Sequence, residues 1–143
     1  MNLTLEMAEA LVDGAKTRAL QAGVAASIVV LDFAGHLKAF SRMDGAWLGS
    51  IDVATKKART SVLFEMETEQ VWAICQPGAQ AHGLEQTNGG LVTFAGGVPI
   101  KATGGQMLGA IGVSGGQVAQ DQDIANAGLT AFRRRAGTSQ AGA

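Results

Sequence analysis

The sequence predicts an α+β domain built on a mainly antiparallel sheet. Three observations carry this. Short apolar runs rich in β-branched residues are joined by tight glycine turns at Ala34-Gly35, Ala95-Gly96-Gly97 and Thr103-Gly104-Gly105. Amphipathic stretches of helical period stand near both ends of the sequence and in its middle. Strands and helices do not alternate, which excludes a doubly wound nucleotide fold. The predicted order is α-β-β-α-α-β-β-β-α, five strands flanked by helices.

Each element has its own signal. Thr4 caps a first helix whose apolar residues Leu5, Ala8, Leu11, Val12, Ala15, Ala19 and Leu20 repeat at helical spacing, and Gly23 stops it. ASIVVLDFAG reads as a strand, and HLKAFSRM returns as its hairpin partner. Ser50 and Asp52 are candidate caps for a second helix, SIDVATKKARTSVLF. Thr68 is the candidate cap of a third, TEQVWAICQ, ended by Pro77-Gly78. After an irregular loop come three strand candidates, LVTF, VPIKA and QMLGAIGVS. Asp121 or Gln120 then opens the last helix, DQDIANAGLTAFRRR. One domain over residues 1–136 and a flexible tail over 137–143 are expected.

Composition excludes several function classes. Hydrophobic residues make up 47% and charged residues 16% of the 143, with a formal net charge of −1, so no broad grip on nucleic acid is expected. Arg133, Arg134 and Arg135 form the one basic run, at a helix end where they complement the helix dipole. The single cysteine, Cys75, allows no internal disulfide, and no Cys/His zinc spacing exists, so no metal site is expected. No apolar run reaches the roughly 20 residues of a membrane span. The start MNLTLEMAEALVDGAK is amphipathic and acidic, unlike a signal peptide, so the expected location is cytoplasmic.

Candidate chemistry is sparse. GAIGVSGG has GxxGxxGG spacing, neither the GxGxxG of a dinucleotide site nor a Walker loop. Gly109 and Gly112 are expected to let the strand pass close to a helix, and Gly115-Gly116 to make the turn. Asp121 and Asp123 repel an anion at the following helix start. The turn N–H groups of Gly115 and Gly116, with Ser114, remain candidates for lining a carboxylate pocket. Arg42 offers a bidentate fork for a carboxylate. Asp44 and His82 are candidate proton carriers, and Lys57 a candidate partner in the same pocket. Each has a plainer alternative: a surface ion pair for Arg42 and Asp44, a solvated loop residue for His82. His36 is expected at an exposed hairpin, Met43 and Cys75 in the core.

Four blocks in order, VVLDFAGHLKAFSRMDGA, SIDVATKKART, FAGGVPIK and GAIGVSGGQVAQDQDIANAG, make the chain resemble the GlcG/HbpS family of haem-degrading domains, also found at the C-terminus of PduO. The resemblance covers roughly Leu3 to Arg134 and implies a profilin-like fold, homo-oligomers from dimers up to octamers, and haem or another tetrapyrrole as ligand. It adds Pro99, within GGVPI, to the ligand-binding candidates. One departure matters: some haem-binding relatives use a histidine on the first helix, and this first helix has none. His82, Met43 or a threonine would have to replace it. Two alternatives to haem binding stay open: a small catabolic hydrolase, isomerase or deaminase acting on a carboxylated substrate through Arg42, Asp44, Lys57 and His82, and an oligomeric scaffold without a ligand.

Overall fold

The structure is a computed structural model that describes the backbone of residues 2–141 and side chains up to residue 137. Its elements are α1 (Leu5–Ala22), β1 (Ser27–Asp32), β2 (Leu37–Arg42), α2 (Gly49–Phe64), α3 (Thr68–Cys75), β3 (Gly97–Lys101), β4 (Met107–Ser114) and α4 (Val118–Ala141), with a 3-10 turn at Leu84–Gln86. The four strands form one antiparallel sheet in the order β2-β1-β4-β3.

Local chemistry fixes the ends of these elements. Thr4 Oγ1 accepts the Met7 N–H at 3.1 Å, and Gly23 takes a left-handed conformation with φ 68° to close α1. In the β1–β2 hairpin, Asp32 Oδ1 accepts both the Ala34 and the His36 N–H, and Gly35 supplies the positive φ. Side chains alternate across the sheet. Ile28, Val30, Ile111 and Val113 face α1 and α4 in the main core, while Val29, Leu31 and Ala110 face Ala54 and Ala58 of α2. The α2 stripe is small-sided, and Gly112 lets it approach: a Cβ there would strike the Ala54 carbonyl oxygen. Gly109, expected against a helix, instead abuts the carbonyl of Leu31 on the neighbouring strand.

The structure corrects several expectations. There are four strands, not five. LVTF alternates in burial, with Leu91 and Thr93 inside, but it forms no ladder; the Leu91 N–H goes to the Glu85 carbonyl in its own loop. Ser50 does not cap α2. It lies inside the first turn, and its hydroxyl donates to the Trp47 carbonyl and pairs with Ser27 Oγ. Glu67, not Thr68, caps α3, through a reciprocal capping box with Gln70. Helix α4 begins at Val118, ahead of Asp121, and runs to Ala141; residues 142 and 143 lie outside the described residues.

Candidate functional site

Lys57 and Asp121 form the most constrained polar centre in the molecule. Lys57 stands on the sheet-facing stripe of α2 and is wholly buried, and Asp121 in the first turns of α4 is 2% exposed. The lysine Nζ donates to Asp121 Oδ2 at 3.0 Å and to the Val113 carbonyl at 2.8 Å, and lies 5.0 Å from the centre of the Phe94 ring. Asp121 Oδ1 accepts the Gly116 N–H at 2.9 Å. The chain crosses this pair at Gly96, whose φ of 125° and lack of Cβ are both required: a Cβ would come within 2.7 Å of Lys57 Nζ. The Gly96 N–H goes to Gln122 Oε1 and the Gly97 N–H to Thr68 Oγ1. Burial pulls the Lys57 amine below its ordinary value, and burial pushes the Asp121 carboxyl above its own. Each group's attraction to the other works against these shifts.

This arrangement ties α2, β4, the strap at residues 95–97 and the start of α4 into one knot. It offers no open face to a substrate, because the amine is covered and its donors are directed at protein acceptors and the Phe94 ring. It also changes the reading of the glycine turn. The Gly116 N–H, a candidate anion donor, is held by Asp121, and the Gln117 N–H is held by Gln120 Oε1. The helix start carries its own acceptors. Asp121 was legible as a helix-start residue and a repelling charge, not as the partner of Lys57, which lies 64 residues away in sequence.

The other candidate residues do not gather around Lys57. Arg42 ends β2, at one edge of the sheet, and Asp44 follows it; both are exposed. His82 is exposed in the loop after α3, a helix that packs on α2 and on β3 at the opposite edge. Across the sheet, Arg42 pairs with Ser27 of β1, which pairs in turn with the half-buried Ser114 of β4. Pro99 lines a groove of about 270 Å³ with Glu67, Lys101 and Arg133. Gly115 and Gly116 line another of the same size beside the exposed Trp47. Met43 packs against the main core and Cys75 is buried, as expected. Among the described residues no three His, Cys, Asp or Glu side chains gather as a metal site, and no helix is long and apolar enough to cross a membrane.

Helices α1 and α4 pack closely and border two cavities of about 530 Å³ each. They touch where Gly14 faces Ala131 and Gly128 faces the Leu11 carbonyl; a Cβ at Gly14 would lie 2.5 Å from the Ala131 methyl. Toward the start of α1 and the later turns of α4 lies a cavity of about 530 Å³. Thr4, Met7 and Ala10, at helical spacing of three, line it from α1; Phe132, Arg135 and Ala136 line it from α4. Glu6 and Arg134 complete the lining. Sequence reading took Thr4 as a helix cap and the arginine run chiefly as a helix-end feature, and did not bring them together; α4 continues past that run to Ala141.

A family model described as "Haem degrading protein HbpS-like" matches residues 3–130. A 15.0 kDa protein from the dhaT-dhaS intergenic region of Citrobacter freundii is 35% identical over 91% of this chain and 92% of its own length. The corrinoid adenosyltransferase PduO of the same organism is 37% identical over 94% of this chain, which spans 40% of PduO. Among solved structures, a PduOC:haem complex superposes with a TM-score of 0.87 at 36% identity, covering 92% of this chain and 95% of the other. A double mutant of Streptomyces reticuli HbpS gives 0.82 at 33% identity, covering 91% of this chain and 86% of the other. A match of this extent to both model and relatives settles the family: the chain belongs to the HbpS-like, haem-degrading protein family.

Proposed function

We propose that this protein binds haem or a related tetrapyrrole carrying carboxylates. The observation that carries the reading is the likeness, over nearly the whole chain, to a relative captured with haem. The cavity between α1 and α4 supports it. Its volume of about 530 Å³ falls within the roughly 300–1,000 Å³ of ordinary ligand sites. Ala10 and Phe132 give it apolar walls, and the exposed Arg135 offers a guanidinium to a propionate. Haem would bring an iron centre able to bind a further ligand or exchange an electron. The protein's part is to sequester the ring, pair its carboxylates and set what the iron meets.

The test is a titration followed in the visible spectrum. Hemin and metal-free protoporphyrin should both give saturable changes, and Arg135→Glu should weaken both severalfold. Featureless titrations with both ligands would overturn the reading.

The same reading has the protein associate with copies of itself. Phe33, Leu37, Trp47 and Leu48 stand exposed beside β2, an edge strand with one unpaired side, and Trp47 is 85% exposed. Light scattering should report an oligomer, and Trp47→Asp should shift it toward the monomer; a wild-type monomer would overturn this part.

A further inference from the structure

The groove of about 270 Å³ at Pro99 lies where the α2–α3 junction, the edge strand β3 and α4 meet. Glu65 and Glu67 line it from the junction, Pro99 and Lys101 from β3, and Arg133 from α4. Buried Val98 and Leu129 give it an apolar floor. None of these residues lines either cavity between α1 and α4.

Its charges are largely free. Among the described residues, the side chains of Glu65, Lys101 and Arg133 make no ion pair or hydrogen bond with the protein. Glu67 is partly committed: it accepts a backbone N–H in the α3 capping box and the Gln122 amide at 3.4 Å. Two anions and two cations thus surround one apolar floor.

Glu65 carries a further mark. It ends α2 with a φ of 55°, in the left-handed region. Outside glycine, the other described residue with a positive φ is Asn88, a type that tolerates this conformation. Glycine is the usual residue at such a helix end. Here the backbone bears a long side chain whose carboxylate has no partner among the described residues. Strain of this kind gathers where a side chain serves a ligand.

The groove suits neither an added strand nor a metal ion. The Gly97 N–H on the free side of β3 is taken by Thr68 Oγ1 at 2.9 Å, and Pro99, in step with it along the strand, has no N–H. Among the described residues no three His, Cys, Asp or Glu side chains gather to hold a metal.

We propose that this groove binds a small α-amino acid with an apolar side chain, its ammonium at Glu65 and Glu67, its carboxylate at Lys101 and Arg133, and its side chain on Val98, Pro99 and Leu129. The balanced charges of the site match those of a zwitterion. Arg133 offers a fork to the carboxylate. The volume falls just below the roughly 300–1,000 Å³ of drug-sized ligands, which fits a smaller one. This site is separate from the tetrapyrrole-binding reading, and either can fail alone.

The test titrates the full chain with L-leucine, with isocaproate, which lacks the ammonium, and with isopentylamine, which lacks the carboxylate. Binding is read from backbone amide chemical shifts. L-leucine should shift the Val98, Lys101 and Leu129 amides saturably, and each analogue should bind roughly tenfold more weakly. Arg133→Gln should weaken L-leucine binding by a similar factor. Glu65→Gly is the sharper variant. It removes the carboxylate and supplies the residue the backbone prefers, so affinity should fall about threefold or more while the melting midpoint holds or rises. A purely structural role for Glu65 moves the midpoint and leaves affinity alone.

No shift at these amides with L-leucine up to about 10 mM would overturn the proposal. So would isocaproate binding as tightly as L-leucine, which makes the groove a plain anion site. Unchanged affinity in Glu65→Gly would remove the ammonium subsite, and the amino-acid assignment with it. If Glu65→Gly melts below wild type, the argument from strain falls and Arg133→Gln decides: weakened binding upholds the groove, and wild-type binding overturns it.

Discussion

Replacing Lys57 by methionine removes the cation from the wholly buried pair and leaves the Asp121 carboxylate behind, 2% exposed, with only backbone N–H partners such as that of Gly116. Breaking a buried ion pair from one side costs about 3–5 kcal/mol. For a chain of this length that is a fall in melting temperature of roughly 10–15 °C. The loss should depend on pH with a definite sign. Burial already raises Asp121 above the ordinary carboxylate value of 3.8, and Lys57 works to lower it. A group with a raised folded value contributes stability that is fully present below its unfolded value and lost as pH rises through the folded one. Without Lys57 the folded value climbs further. The deficit of Lys57→Met against wild type should therefore shrink as pH falls from neutral toward 3.8. Asparagine at position 121 is uncharged yet still accepts the Gly116 N–H, so Lys57→Met/Asp121→Asn should recover most of the neutral-pH loss. Urea unfolding with a constant m-value measures all three proteins. A Lys57→Met deficit under about 1 kcal/mol, or one that grows on acidification, would refute the reasoning.

Three further outcomes follow from the packing. Gly112→Ala drives a methyl into the Ala54 carbonyl and within 2.7 Å of the Ala58 nitrogen, so it should cost about 2–3 kcal/mol or more in urea unfolding; an unchanged midpoint would mean α2 sits farther from β4 than described. Ser61→Ala removes a buried hydroxyl that has no partner, so it should be neutral or stabilising by up to about 1 kcal/mol; a clear loss would point to an internal water there. Thr4→Ala should cost about 1 kcal/mol and Thr4→Ser far less, because the cap is the hydroxyl that accepts Met7 N–H; equal losses would assign the effect to the threonine methyl.

Local signals carried far in this sequence, and nonlocal ones did not. The Thr4 cap, the Gly23 stop, the Gly35 hairpin and the apolar run of β1 each depend on neighbours within a few residues, and each is present. LVTF shows where that logic ends. Its alternation reports burial on one side correctly, but pairing with another strand is decided outside the segment, and LVTF joins no ladder although β3 ends the sheet. The α3 cap moved by one residue because Thr68 turns inward to receive the Gly97 N–H, leaving the cap to Glu67. Lys57 was legible as a residue of interest but not as a closed one. Its clue was a lysine in step with Ser50, Ala54 and Ser61 on a small-sided stripe, and an unpaired charge cannot face a sheet. The partner required by that argument lies on α4, beyond two strands and another helix.

The glycine contact between α1 and α4 also has a consequence in time. Arg18 of α1 and Asp123 of α4, joined at 2.6 Å beside this contact, are 105 residues apart in sequence. At about 5–20 residues per second, the ribosome needs roughly 5–20 s to make the second helix after the first. Throughout that interval the apolar stripe of α1, with Leu11, Val12 and Ala15, lacks the helix that will bury it. Helix α4, made after every other element of this domain, is thus the one that completes it, and a nascent chain stalled before α4 is a natural client for a chaperone that holds amphipathic helices.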